Sequence, residues 1–258
     1  MLAVRGRADS PLDGLPSKFC ATLDVSRGLR MDGKRPAISP SNKLCLAVAV
    51  AGAIACAASA GFAQKGITMI SIETMEAGSP PAGFEFARTG QGGLGQWAVV
   101  SDPSASGGRA IEQSSTDRSD YRFPLAIYSP ASVANGNITV RFKSVAGKID
   151  QAAGIAMRLI DSNNYYVVRA NALEDNVRFY RMVKGKRDQL EGVDIKVSGN
   201  VWHALGLKAE GERFTVTFDG KQLFTAIDRT FSDGGKIALW TKADSVTRFD
   251  RIEIESLP

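Results

Sequence analysis

The sequence predicts an all-β fold, an antiparallel jelly-roll sandwich of two sheets forming a single domain over residues 64–258. Three observations carry that expectation. Apolar and polar residues alternate in about a dozen short runs, the pattern of half-buried strands. The runs recur roughly every 8–12 residues, separated by Gly, Pro, Asn and Asp. No stretch carries the 3.6-residue apolar period of an amphipathic helix. Internal repeats and a proline-rich linker are also absent.

In chain order, Ile67–Glu73 reads as a short strand, followed by the aperiodic Ala77–Gly83. Phe84–Phe86 and Gln96–Val100 are strand-like, and the glycine-rich Gly90–Gly95 between them is a surface loop. That loop is no phosphate cradle, because no helix follows it. Arg109–Gln113 is another strand. So is Tyr121–Ile127, where Pro124 predicts an edge or a bulge. Asn137–Lys143 alternates cleanly, placing Ile138, Val140 and Phe142 inward. The centre of the chain, Gly154–Arg187, reads as three antiparallel strands at 154–160, 165–171 and 177–183. Ile155, Met157 and Leu159 share one face, as do Tyr166, Val168 and Ala170. Ala156, Arg158, Arg169 and Asn171 take the other. Leu190–Val197, Trp202–Ala209 and Phe214–Phe218 follow. Asp219-Gly220 is a tight hairpin signal leading into Leu223–Ile227. Lys236–Thr241 and Arg248–Glu255 close the chain. Phe142, Tyr166, Val168, Val216 and Phe218 are expected in the core.

Residues ahead of this domain read differently. Leu44–Ala63 is apolar, rich in Ala and Gly, and preceded by Lys34, Arg35 and Lys43. That order is a secretory signal, with cleavage expected before Gln64 or, at a second site, before Gly61. The alternative for the same stretch is an uncleaved anchor. Residues 1–30 are expected to be a non-native or disordered leader, with Met31 starting a signal peptide over 31–63. The 258-residue chain holds 32 Lys and Arg against 27 Asp and Glu, a net +5. Eight of those basic and four of those acidic residues lie in the first 63, which leaves 24 against 23 for the domain. The basic character belongs to the leader and points to no nucleic-acid partner. All three cysteines, Cys20, Cys45 and Cys56, also precede the domain. An exported domain without disulfides needs a substantial hydrophobic core, and 195 residues suffice. The expected location is periplasmic or extracellular, with no membrane span after cleavage.

Particular residues resemble a known group. They run from Pro81-Ala-Gly-Phe84 and Gly95-Gln-Trp97 through Asp120-Tyr-Arg-Phe123, Asn163-Asn-Tyr-Tyr166 and Val168–Arg178. Trp202-His203, Phe218-Asp-Gly220 and Gly235–Asp250 continue the pattern. Together they resemble secreted bacterial domains of the concanavalin A-like lectin/glucanase superfamily, and within it are most similar to 3-keto-disaccharide hydrolase-like and laminin G-like branches. The resemblance implies that the first and last strands pair and that one concave sheet carries a ligand. It fixes a place for the site and no reaction.

Chemistry follows from what remains. With His203 the sole histidine and no cysteine after residue 63, zinc sites and Cys–His pairs lack ligands. His203 reads as structural. A saccharide is gripped by planar donors and acceptors at its hydroxyls and by a ring beneath its apolar face. Arg158, Arg169, Asn171, Arg178, Tyr180, Trp240 and Lys242 supply those parts and are expected to converge, with Glu174 at the edge. The alternative is an ordinary solvated sheet face. The glucanase signature Glu-x-Asp-x-x-Glu does not occur, and Glu253 and Glu255 read as structural. Glu174 or Asp175 is the candidate acid/base of a glycosidase-like hydrolase. Three functions therefore stand open: saccharide binding, hydrolysis of a (keto-)disaccharide or glucan, and a laminin G-like adhesion role. No cofactor is required; calcium would draw on Asp161, Asn163 and Asp244 or on backbone carbonyls, without a contiguous calcium loop. Oligomeric state is not legible.

Overall fold

The computed structural model describes residues 66–258. The expected leader, signal segment and cleavage sites lie outside the described residues. Strands β1 (Ile67–Ile70), β2 (Phe84–Gly90), β3 (Trp97–Ser101), β4 (Arg109–Gln113) and β5 (Arg122–Val133) come first. β6 (Gly136–Ala146), β7 (Ala152–Asp161), β8 (Asn164–Asn171), β9 (Asn176–Val183) and β10 (Lys186–Asp194) form the middle. β11 (Trp202–Glu210), β12 (Arg213–Phe218), β13 (Lys221–Ile227), β14 (Gly235–Trp240) and β15 (Val246–Ser256) complete the fold.

These strands make two antiparallel sheets. Sheet A runs β13-β12-β11-β6-β15-β4-β3, with β1 also paired to β15. Sheet B runs β10-β9-β8-β7-β14-β5-β2. The first and last strands pair as expected, Ile67 opposite Glu255. Alternation sends one face of each sheet into a shared core. Ile138, Val140, Phe142, Phe214 and Val216 come from sheet A, and Ile155, Tyr166, Val168 and Phe179 from sheet B. Rings lock the two together: Phe214 stands 4.5 Å from Tyr166 and 5.0 Å from Phe179, centre to centre. All five expected core residues are buried.

Several elements depart from the sequence reading. The first strand stops at Ile70, and a 3₁₀ turn at Ile72–Thr74 drops Ile72 into the core. β10 begins at Lys186 because Lys184 and Gly185 both take left-handed backbone, φ +49° and +75°, and reverse the chain in two residues. Pro124 is on neither an edge nor a bulge. β5 lies between β2 and β14, and the carbonyl of Pro124 still accepts from Thr241. The bulge of β5 comes later, where the pairing slips between Tyr128 and Ser132 around Pro130. Asp219 and Gly220 behave as expected, φ +47° and +78°, joining β12 to β13.

Sheet B is strongly curled. β5 and β10 are five strands apart, so a flat sheet would separate them by about 24 Å. Yet the Tyr121 hydroxyl, next to β5, donates to the Gly185 carbonyl at 2.9 Å and accepts from the Arg187 amide at 3.0 Å. Thr89 on β2 donates its hydroxyl to the Ser162 carbonyl in the β7–β8 turn. Diagonal corners of the sheet thus meet on its outer side. Inside the curl a second apolar cluster forms from Phe123, Leu125, Ile127, Ala156, Leu159, Tyr165, Val167, Met182, Ala238 and Trp240.

Candidate functional site: the outer face of sheet B

Strand pairing decides which side chains share this face. Arg169 lies opposite Gly154 on β7 and Arg178 on β9, and Trp240 lies opposite Gly154 from the other side. Gly154 has a reason to be glycine: a Cβ there would stand 2.7 Å from the Val168 carbonyl, 3.2 Å from the Trp240 ring and 3.3 Å from Arg169 Cβ. The bare strand lets the indole and the guanidinium stem approach across it.

One end of the face is polar. Arg169, only 5% exposed, donates to Asn176 Oδ1 at 2.5 Å, to Glu174 Oε2 at 2.7 Å and to the Tyr180 hydroxyl at 3.3 Å. Asn171 donates to Asp150 Oδ1 at 2.6 Å. Lys242 Nζ sits 2.7 Å from Asp150 Oδ2 and 3.2 Å from Asp120. Asp150 is fully buried, and that burial pushes its carboxyl above the usual range, partly offset by Lys242 and Arg169. Glu174 goes the other way. Burial opposes its charge, but Arg169 and the Asn176 amide outweigh it and hold the carboxyl low.

The middle of the face is aromatic. Trp240 stacks on Phe123 with ring centres 5.1 Å apart. Its indole N–H donates to the Tyr165 hydroxyl at 3.3 Å, which in turn donates to Thr89 at 2.7 Å. Thr89 then passes its own proton bond to Ser162, so the four groups make one directed chain across the curl. Burial pushes the Tyr165 phenol up to about 12, so it stays a donor at any physiological pH.

Of the expected set, Arg169, Asn171, Tyr180 and Lys242 come together with Glu174 beside them. Arg178 shares the face but reaches outward over Gly192 to Asp194 at 2.5 Å, forming the rim. Trp240 is on the face yet fully buried, so it is the packed floor and not an exposed platform.

Two expected residues fall elsewhere. Arg158 adopts φ +50° at a break in the β7–β8 pairing, which swaps the faces of Arg158 and Leu159. Its guanidinium enters the space between the sheets, over the Phe214 ring at 5.1 Å. There it donates to the carbonyls of Ala134, Phe231 and Gly211 at 2.6–2.8 Å. Asp175 turns away, accepting from the Val197 amide at 3.1 Å and pairing with Lys196. It fixes the β8–β9 turn and is no partner for Glu174. Asp150, which the sequence reading omitted, takes that place.

Other candidates have structural work. His203 bridges Asp219 at 2.7 Å and the Ser198 carbonyl at 3.1 Å and packs on Phe218. Asp161 ties the β7–β8 turn through Asn163 and Asn164, whereas Asp244 accepts the amides of Lys148, Ile149 and Asp150 before β7 begins. The length of β7 separates them, so they do not form one calcium site. Among the described residues no group of three or more His, Cys, Asp or Glu could hold a metal, and no helix is long and apolar enough to cross a membrane.

Solved structures share this arrangement. A carbohydrate-binding module, CBM66 from Bacillus subtilis, superposes with a TM-score of 0.52 at 22% identity, over 66% of this chain and 95% of its own. A Bacillus licheniformis β-glucanase superposes with a TM-score of 0.50 at 13% identity, over 76% of this chain and all of its own. The architecture is an antiparallel two-sheet jelly roll. At these identities the likeness concerns the fold alone. No protein-family model matches the chain, and no curated protein matches it in sequence. What this jelly roll does therefore rests on its own residues, foremost the polar end of sheet B.

Proposed function

We propose that the chain is an exported carbohydrate-binding protein that holds saccharide at the polar end of the outer face of sheet B. One observation carries this: Arg169, Asn171, Glu174, Asn176, Tyr180 and Lys242 converge from four different segments, Arg169 bonded to Glu174, Asn176 and Tyr180 and the other two held through Asp150, beside the aromatic floor of Trp240 and Phe123. Pre-positioned planar amides, a guanidinium and carboxylates match the alternating donors and acceptors of sugar hydroxyls. A solvated face would leave such groups separately hydrated. The experiment is a glycan-array screen of the 64–258 protein beside Arg169→Ala. Binding by the parent and at least tenfold weaker binding by the variant supports the reading. No binding by either refutes it.

A second reading, glycosidase-like hydrolysis, is favoured by the Asp150–Glu174 pair. Environments that push two neighbouring carboxyls in opposite directions are how acid and base roles are divided. Asp150 would be the acid and Glu174 the base or nucleophile. Reducing-end assays on glucans and disaccharides would show turnover that Asp150→Asn and Glu174→Gln each abolish. Binding without turnover leaves the first reading alone.

A further inference from the structure

Arg187 is absent from the site described so far, yet it lies inside the same curl. Its guanidinium carbon is 4.5 Å from the Tyr180 ring centre and 5.0 Å from that of Phe123. Among the described residues the guanidinium makes no hydrogen bond and no ion pair, and its Nη1 is buried without a partner. Every other cation of this face is matched: Arg169 by Glu174, Lys242 by Asp150 and Asp120, Arg178 by Asp194. Contact with two rings stabilises the charge through their faces and leaves the in-plane N–H groups unused. Those in-plane donors are what a carboxylate takes up in bidentate fashion.

A second unused donor lies beside it. Arg169 flanks the same Tyr180 ring at 5.9 Å, and its Nε is also buried without a partner, although both of its terminal nitrogens are bonded. Buried donors left unpaired are costly and rare in native structures. Here two of them border one phenol. An anionic acceptor from outside the chain would satisfy both donors and balance the Arg187 charge.

We propose that Arg187 and Arg169, arranged around Tyr180, recognise the carboxylate of an acidic saccharide, a uronate unit. The inference rests on the carbohydrate-binding reading and narrows it to a ligand class. Arg187 supplies the uncommitted charge. Arg169, locked by Glu174 and Asn176, supplies a fixed N–H. No bond is made or broken.

The test uses trimers of galacturonate, mannuronate and glucuronate, each beside its carboxyl-reduced neutral counterpart, titrated calorimetrically into the 64–258 protein. At least one uronate trimer should bind about tenfold or more tighter than its neutral counterpart, with affinity falling as salt rises. Arg187→Gln should erase that preference while leaving affinity for the neutral trimer unchanged. Arg187→Lys, which keeps the charge without the planar fork, should restore only part of it. A melting curve on each variant separates loss of recognition from loss of fold. Equal affinity for charged and neutral members, or preference for the neutral ones, overturns the inference while leaving the carbohydrate reading intact. If no trimer on either side binds, the uronate inference falls, and the glycan array alone decides the carbohydrate reading.

Discussion

Arg158 and Arg169 are the same residue type on neighbouring strands and have opposite roles. Arg158 is nearly fully buried and donates to three carbonyls. Arg158→Ala should cost about 3–5 kcal/mol in urea melts, since it removes three charge-assisted hydrogen bonds and the packing of a buried side chain on Phe214. Saccharide affinity should be unchanged once the variant is folded. Arg169→Ala should cost less stability, because Glu174, partly exposed, can be rehydrated when its partner goes, and should weaken saccharide binding instead. Trp240→Ala removes the floor between Phe123 and Tyr165, so about 3–5 kcal/mol of stability should go with it. If Trp240→Ala melts like the parent, the closed curl is wrong. Alternation put Arg169, Asn171 and Tyr180 on one face, where the structure has them, because β8 and β9 pair without interruption. It misplaced Arg158 because a single left-handed residue shifts parity, and nothing in Met157-Arg-Leu-Ile160 signals that break. Asp150 escaped notice for another reason: it sits in a connection, where period carries no information, and only the return of β14 brings Lys242 to it.

At the scale of elements, the segment between β3 and β4 is pinned to the outer face of sheet A by one carboxylate. Asp102 accepts from the Ser104 amide and hydroxyl, from Lys143 at 2.5 Å and from Arg248 at 2.9 Å. Burial alone would raise its pKa, but these donors hold it far below the usual range. Asp102→Asn should lose about 2–3 kcal/mol, the scale of hydrogen bonds to a charged group, and increase amide exchange across 102–108. Unchanged exchange there would show the segment is held by other contacts, such as Ser106 to Asp250. The strands were legible from alternation and turn chemistry almost throughout. The curl of sheet B was not. It depends on Thr89 meeting Ser162 and Tyr121 meeting Gly185, contacts between residues more than sixty positions apart that no local pattern encodes.

For the molecule as a whole, depressed carboxyls set the acid limit. Asp102, Asp228 and Asp244 are each nearly buried and each held below the ordinary aspartate value by hydrogen bonds that outweigh desolvation. Their folded pKa values lie beneath the unfolded ones, so the native state binds fewer protons in that window. Their stabilisation is complete above about pH 5 and is lost progressively as pH falls through the unfolded and then the folded values. Thermal melts from pH 7 to 2 should therefore hold level down to about pH 5 and then drop. A melting temperature that rises on acidification would mean that relief of Asp150, whose pKa is raised, dominates instead.

Saccharide is proposed to occupy the polar end of the outer face of sheet B. Amide chemical-shift mapping of the 64–258 protein, titrated with the best ligand from the glycan array, addresses that most directly. Shifts should concentrate at Asp150, at Arg169–Tyr180 and at Lys242, with Arg187 included for a uronate. Shifts confined to sheet A would contradict that placement.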